Sequence, residues 1–173
     1  MIKQNKAVSQ LVLAAMCLAI SIVMPTIFHF AGPQGGKIFL PLFWGVAMAA
    51  LLLSLKYGIM VGILAPILSH LISAMPAVPM LYFMLIELVI YAAMVYCLNQ
   101  KFHASIAILL ALAVSRASYI GSVLLAAVFF DLPPGFAGLT VLVGGVLTSL
   151  PGIIAQAIII PGIYHIYRRF SNV

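Results

Sequence analysis

The stretch PMLYFMLIELVIYAAMVYCLN, residues 79–99, is apolar over the length of a membrane crossing, yet it carries Glu87 near its middle. A transmembrane helix needs about 20 predominantly apolar residues. A charged side chain in hydrocarbon costs roughly 2.5–3.5 kcal/mol on insertion scales, so it normally faces a bundle interior, pairs with an opposite charge or lines a polar cavity. The stretch therefore predicts a transmembrane helix whose Glu87 marks the protein interior.

The next long apolar segment, residues 104–130, contains Arg116, the one basic residue that we expect deep in the membrane. The chain has only two acids, Glu87 and Asp131. If the two segments are neighbouring antiparallel helices, Glu87 and Arg116 lie at similar depth. Two interpretations of this pair stand side by side: an ion pair that fixes helix packing, and a contact to a ligand.

The composition places the whole chain in the membrane. Of 173 residues, 66% are hydrophobic and only 6% are charged. Long apolar runs broken by Pro and Gly, without period-2 alternation, indicate helices and not a β-barrel. No repeat or soluble domain is indicated, so we expect one all-α integral membrane domain over residues 1–173. Its six helices are predicted at residues 7–28, 40–55, 57–75, 79–98, 104–130 and 138–167.

The basic residues predict the orientation of this bundle. All but one of those near segment ends share one side of the membrane, and only Lys37 lies on the other. The residues on the shared side are Lys3, Lys6, Lys56, Lys101, Arg168 and Arg169. Basic residues accumulate in cytoplasmic loops, so both termini are predicted to be cytoplasmic.

Several function classes find no support in the sequence. No nucleophile lies beside a base, no two carboxylates can meet, and no Walker motif or other phosphate-binding glycine loop occurs. We therefore expect no enzymatic activity and no ATP hydrolysis by this chain alone. The four histidines and two cysteines show no metal-ligand spacing, so no metal or cofactor is expected. No basic patch with interleaved aromatics suggests nucleic-acid binding.

The first helix carries Ala15 and Ala19 in AxxxA spacing. Small residues four apart leave a flat strip where another helix can approach closely. Packing within the bundle and docking of a partner protein both explain this strip.

Several segments in this order resemble the substrate-binding S components of energy-coupling factor (ECF) vitamin transporters. Besides the basic N-terminus with its AxxxA, they are FLPLFWGVAMAALLL at 39–53, KYGIMVGILAPILS at 56–69, MPAVPM at 75–80, ELVIYA at 87–92 and SRASY at 115–119. The similarity covers nearly the whole chain.

The resemblance implies a multi-pass protein of a bacterial cell membrane. Such a protein binds a vitamin or vitamin-like molecule from outside with high affinity and passes it to a module of one membrane scaffold subunit and two ATP-hydrolysing subunits. Ala15 and Ala19 would then form the docking face for the scaffold. The loop between the first two helices would be the outer gate of the pocket.

Within this interpretation, candidate substrate-binding residues combine polar groups with aromatic walls, as pockets for small planar or amphipathic ligands do. They are Gln34, Lys37, Trp44, His70, Tyr82, Glu87, Arg116, Tyr119 and Gln156. Trp44 is also interpretable as an interfacial anchor. Few hydrogen-bonding groups lie on the outward half, which favours a compact or largely apolar substrate.

Two other functions fit parts of the pattern. A solitary small-solute carrier or channel would use the gate loop and the interior polar residues, and it would transport without an ATPase. A scaffold subunit of a larger membrane complex would use the AxxxA strip and bind no small molecule. Only the S-component hypothesis uses both features.

Overall fold

The computed structural model describes residues 2–30, 35–133 and 136–171, and within these ranges it is helical without any strand. Its helices are α1 (Ile2–Phe30), α2 (Gly35–Phe39), α3 (Pro41–Leu52), α4 (Leu55–Ser73), α5 (Met80–Asn99), α6 (Ala104–Phe129), α7 (Leu139–Thr148) and α8 (Leu150–Ser171). Six segments are long and apolar enough to cross a membrane. The prediction of an all-helical protein with six such helices is therefore confirmed.

Two of the six crossings are built from two helices each. The second crossing, Gly35–Leu52, consists of α2 and α3. Leu40 separates them in a left-handed backbone conformation with φ 48°, directly before Pro41 at the start of α3. Proline disfavours helical backbone in the preceding residue, which explains the break. The sequence predicted a loop throughout residues 29–39, and α2 shows that its last five residues are helical instead.

The sixth crossing divides at Ser149, where α7 ends and α8 begins. Pro151 lies in the first turn of α8, where a missing backbone N–H breaks no intrahelical bond. Ser149 also bonds back to α7, since its hydroxyl donates to the Val146 carbonyl at 2.8 Å.

Helix α3 is the central element of the bundle. Nearly all of its residues are buried, and it contacts α1, α4, α5 and α8. Glycines allow the backbones to approach: a Cβ on Gly45 of α3 would meet the Cys17 carbonyl and the Ser21 hydroxyl of α1. In the same way, a Cβ added to Gly62 of α4 would lie 3.0 Å from the Leu88 carbonyl oxygen of α5.

The short helix α2 rests on α8 through another glycine. A Cβ added to Gly152 would meet the Ile38 carbonyl and the Cα of Phe39. The indole nitrogen of Trp44 donates to the Phe39 carbonyl at 3.0 Å and so ties α3 to the end of α2. The last turn of α2 is thus fixed by two different helices.

The Gly45 contact predicts a stability difference between two glycine-to-alanine substitutions. Gly45→Ala inserts a methyl group into backbone and hydroxyl atoms of α1, and such overpacking typically costs about 1–3 kcal/mol. Gly121→Ala in α6 is the matched control, since its Cβ would meet nothing within 4 Å. Alanine is the better helix former by about 1 kcal/mol, so we expect Gly121→Ala to be neutral or stabilising.

Thermal unfolding of both variants in the same detergent micelles measures this difference. Equal unfolding temperatures for Gly45→Ala and the unmodified protein would contradict the close packing of α1 on α3.

Candidate functional site

The two oppositely charged residues inside the bundle form an ion pair. Glu87 of α5 is only 1% exposed, and its Oε1 lies 3.1 Å from Nη1 of Arg116 on α6. Helices α5 and α6 are antiparallel neighbours joined by a short turn, so residues near their middles come to similar depth. The pair neutralises two charges that would each be costly in hydrocarbon.

This pair leaves hydrogen-bonding capacity unused. In the described part of the chain, neither carboxylate oxygen of Glu87 nor Nε of Arg116 has a hydrogen-bond partner. The 3.1 Å contact is close enough for strong Coulomb attraction, but its direction does not satisfy hydrogen-bond geometry. Buried polar atoms in proteins nearly always have a partner, so these atoms identify a place where a polar ligand would be stabilised.

Aromatic rings connect the ion pair, which lies on α5 and α6, to α3, and a hydrogen bond extends this connection to α8. The Arg116 guanidinium lies over the Phe43 ring of α3, with its central carbon 5.1 Å from the ring centroid. Phe43 also packs on Tyr91 of α5, with centroids 5.1 Å apart. The Tyr91 hydroxyl donates to Oε1 of Gln156 on α8 at 3.3 Å.

We call Phe43, Glu87, Tyr91, Arg116 and Gln156 the interior cluster. It brings three of the predicted site residues together, and it draws them from three helices. Gln156 is completely buried, and its Nε2 has no partner among the residues that the structure describes. The cluster therefore combines free acceptors on Glu87 with free donors on Arg116 and Gln156.

Sequence reasoning missed two members of the interior cluster. Tyr91 follows Glu87 by four residues, and this spacing alone places both on one face of α5. That signal was available in the sequence. Phe43 gave no such signal, because one phenylalanine in an apolar helix is not distinguishable from its neighbours.

Tyr119 and Trp44 lie in other surroundings. Tyr119, one turn beyond Arg116 on α6, meets the Phe83 ring edge-on with centroids 6.3 Å apart. Trp44 is buried in the bundle core and bonded to the Phe39 carbonyl. This position does not fit an anchor exposed at the membrane interface, which was one interpretation of Trp44 from the sequence.

The remaining candidates are not part of the interior cluster. Lys37 and Tyr82 are exposed, Tyr82 by 59%. Nδ1 of His70 lies 2.9 Å from the Pro76 carbonyl, and because a carbonyl only accepts, this nitrogen carries the proton. Gln34 lies outside the described residues. For these four residues a role in binding stays a prediction.

A crevice of about 400 Å³ adjoins the interior cluster between α6, α7 and α8. Its walls are apolar except for Arg116, and we call it the lateral crevice. The lining residues are Leu109, Leu112, Ala113, Arg116, Ala117, Ile120, Val146 and Ile153. Among all the described residues, no group of three or more His, Cys, Asp or Glu side chains is placed to hold a metal ion.

Six apolar segments long enough to cross a membrane, with an ion pair buried among them, define a multi-pass membrane protein. The chain belongs to the family described as "ECF transporter, substrate-specific component", whose family model matches residues 9–164. The resemblance noted in the sequence is thereby confirmed. Comparisons with curated proteins and with solved structures gave no match.

Membership of this family establishes the general function of the protein. The protein is a substrate-binding component of a transporter. Membership also implies a small-molecule substrate and association with an ECF scaffold and ATPase modules.

The ion pair yields a prediction about stability. Arg116→Met leaves the Glu87 carboxylate buried without a counter-charge, and breaking a buried pair in this way typically costs about 3–5 kcal/mol. Replacing both residues, as Glu87→Leu with Arg116→Met, removes both desolvation costs and should recover most of that loss.

Unfolding of the two single variants and the double variant in micelles gives the coupling energy. Additive effects of the two substitutions would show that the Glu87–Arg116 contact contributes nothing to folding.

Proposed function

We propose that this chain is the high-affinity binding subunit for uptake of a vitamin or vitamin-like small molecule, and that it delivers this molecule to an ATP-driven ECF module. The observation that carries the proposal is the interior cluster, in which both carboxylate oxygens of Glu87, Nε of Arg116 and Nε2 of Gln156 lack partners in the described residues. In a substrate-specific component, such atoms are explained by a substrate that completes their hydrogen bonds.

The interior cluster is the proposed core of the substrate pocket. Glu87 offers acceptors, Arg116 and Gln156 offer donors, and Phe43 and Tyr91 supply aromatic walls. Tyr119 is proposed to extend the pocket along α6, while Trp44 supports it from the core. Gln34, Lys37, His70 and Tyr82 are proposed to act at the outer gate.

The orientation of the chain supports an outward-facing gate. An even number of crossings puts both termini on one side of the membrane. The bias of basic residues favours the cytoplasm for that side. In this orientation, α2 lies toward the outer face, where we propose that substrate arrives.

Helix α1 supplies the proposed docking face. Ala15 and Ala19 are exposed, whereas the adjacent Ala14 is buried against the bundle. In the part of the chain that the structure describes, the AxxxA strip is therefore not used for packing. A strip of small side chains on an outer surface suits close approach of a helix from another subunit, here the ECF scaffold.

Bulky substitutions test the docking proposal. In the double variant Ala15→Trp/Ala19→Trp, two indoles block close helix approach, so we expect uptake in cells to fall to background while ligand binding by the purified protein is unchanged. Ala127→Trp is the matched control, because Ala127 is an exposed alanine on α6, and it should keep both activities. Loss of ligand binding in the double variant would contradict the docking assignment.

Mass spectrometry of the molecule released on heating the purified protein tests the binding function directly. A tightly bound vitamin-like compound should appear at about one molecule per chain. Gln156→Leu removes a buried amide that we place on the substrate, and it should reduce retention about tenfold to a hundredfold, as loss of a good hydrogen bond does.

Tyr91→Phe is the control for Gln156→Leu. It deletes the Tyr91–Gln156 hydrogen bond but keeps the Gln156 amide, so retention should change little. Equal losses in both variants would assign Gln156 to internal packing. A chain that never yields a small molecule would favour the scaffold function, and transport by the chain alone in liposomes would favour the solitary carrier.

A further inference from the structure

Five basic side chains lie where α6 begins and α8 ends. The rings of His103, directly before α6, and His165 of α8 have centroids 5.1 Å apart, which brings the two helix ends together. Arg168 and Arg169 follow His165 by three and four residues, and this spacing places all three on one side of α8. We call the following residues, all of them exposed, the basic rim: Lys101, His103, His165, Arg168 and Arg169.

Hydrogen bonds to one tyrosine hold this arrangement. The Tyr164 hydroxyl accepts from Nδ2 of Asn99, the last residue of α5, at 3.4 Å. It also accepts from Nη1 of Arg168 at 3.1 Å, and the guanidinium carbon lies 5.5 Å from the centroid of the Tyr164 ring. A guanidinium has five N–H donors, so this bond positions Arg168 and leaves other donors for a ligand.

The acids of the chain are not placed to neutralise the basic rim. Glu87 is paired with Arg116, about three helical turns before the end of α5. Asp131 follows the opposite end of α6, a helix of 26 residues that is therefore roughly 39 Å long. Because like charges repel each other, a ligand with a negative charge would be stabilised at the basic rim.

Exposed apolar side chains border the basic rim. The rim lies at the ends of two segments that are apolar and long enough to cross a membrane, Ala104–Phe129 and Thr140–Phe170. Within these segments, Ile106, Ile166 and Phe170 are exposed. A ligand that fits both surfaces carries its negative charge beside hydrocarbon chains, as an anionic phospholipid does. The acidic surface of another protein would match the charges but not the apolar border.

We propose that the basic rim binds the headgroup of an anionic phospholipid, whose acyl chains lie along the exposed apolar side chains of α6 and α8. This interaction goes beyond the proposed function, because it involves neither the substrate nor the interior cluster. Six crossings place the end of α8 on the side of both termini, so in the orientation proposed above the lipid belongs to the cytoplasmic leaflet. The negative surface potential of that leaflet attracts basic residues next to crossing helices.

Two lipids with the same acyl chains and different headgroup charge test the recognition. Phosphatidylglycerol is anionic, whereas phosphatidylcholine has no net charge. The full chain in dodecyl maltoside micelles is titrated with each lipid, and native mass spectrometry counts the bound molecules. We expect phosphatidylglycerol to bind at least about tenfold more tightly, since several basic groups contribute. At equal concentration, sn-glycerol 3-phosphate, which has the anionic group without acyl chains, should not displace it.

Removal of one charge at either of two exposed positions tests the location. Arg169→Gln takes a charge from the basic rim and should weaken phosphatidylglycerol binding about fivefold, the usual effect of one basic residue near an anionic surface. Lys56→Gln is the matched control, because Lys56 is exposed at the start of α4, on the same side of the membrane and outside the rim. It should leave binding unchanged.

Three results would overturn the inference: equal affinities for the two lipids, equal losses in Arg169→Gln and Lys56→Gln, or displacement of the lipid by sn-glycerol 3-phosphate. Equal affinities would leave an acidic protein surface as the occupant of the rim. Displacement would show a site for a soluble anion instead. The proposed function is tested separately, by the small molecule that the purified protein retains.

Discussion

The high cost of charge in hydrocarbon is the constraint on which the interior of this protein depends. The chain carries two acids in all, and Oε1 of one of them, Glu87, lies 3.1 Å from Nη1 of Arg116. The two charges neutralise each other only when α5 and α6 keep the relative position that places Glu87 beside Arg116. The position of Arg116 in turn places its guanidinium over Phe43 of the central helix. A single electrostatic requirement thus links three helices at the level where a substrate site is proposed.

Close helix packing and binding of a ligand make opposite demands on the interior of the bundle. Helices α1, α3, α4 and α5 approach through glycines and alanines, so that side of the bundle is densely packed. Helices α6, α7 and α8 pack more loosely and line the lateral crevice. The interior cluster lies where the two parts meet, since Phe43 and Glu87 come from the dense side and Gln156 comes from the looser one.

The sequence predicted the fold well because hydropathy and segment length alone decide how often a chain crosses a membrane. It also predicted that Glu87 and Arg116 mark the interior, since charge in an apolar run is a strong signal. It did not predict α2, because a glycine-rich segment resembles a loop until its packing on Gly152 is known. Tyr82 was predicted to be a pocket residue because it is aromatic and lies near the outer end of its helix, but its side chain is 59% exposed, which no local sequence pattern indicates.

The backbone contact between α2 and Gly152 of α8 restricts how these two helices can move relative to each other. Gly152 lies one helical turn before Gln156, so both residues occupy the same side of α8. Because backbone touches backbone at this glycine, no flexible side chain lies between the two helices to absorb a shift. A displacement of α2 would therefore push directly on the backbone of α8, the helix that carries the buried amide of Gln156.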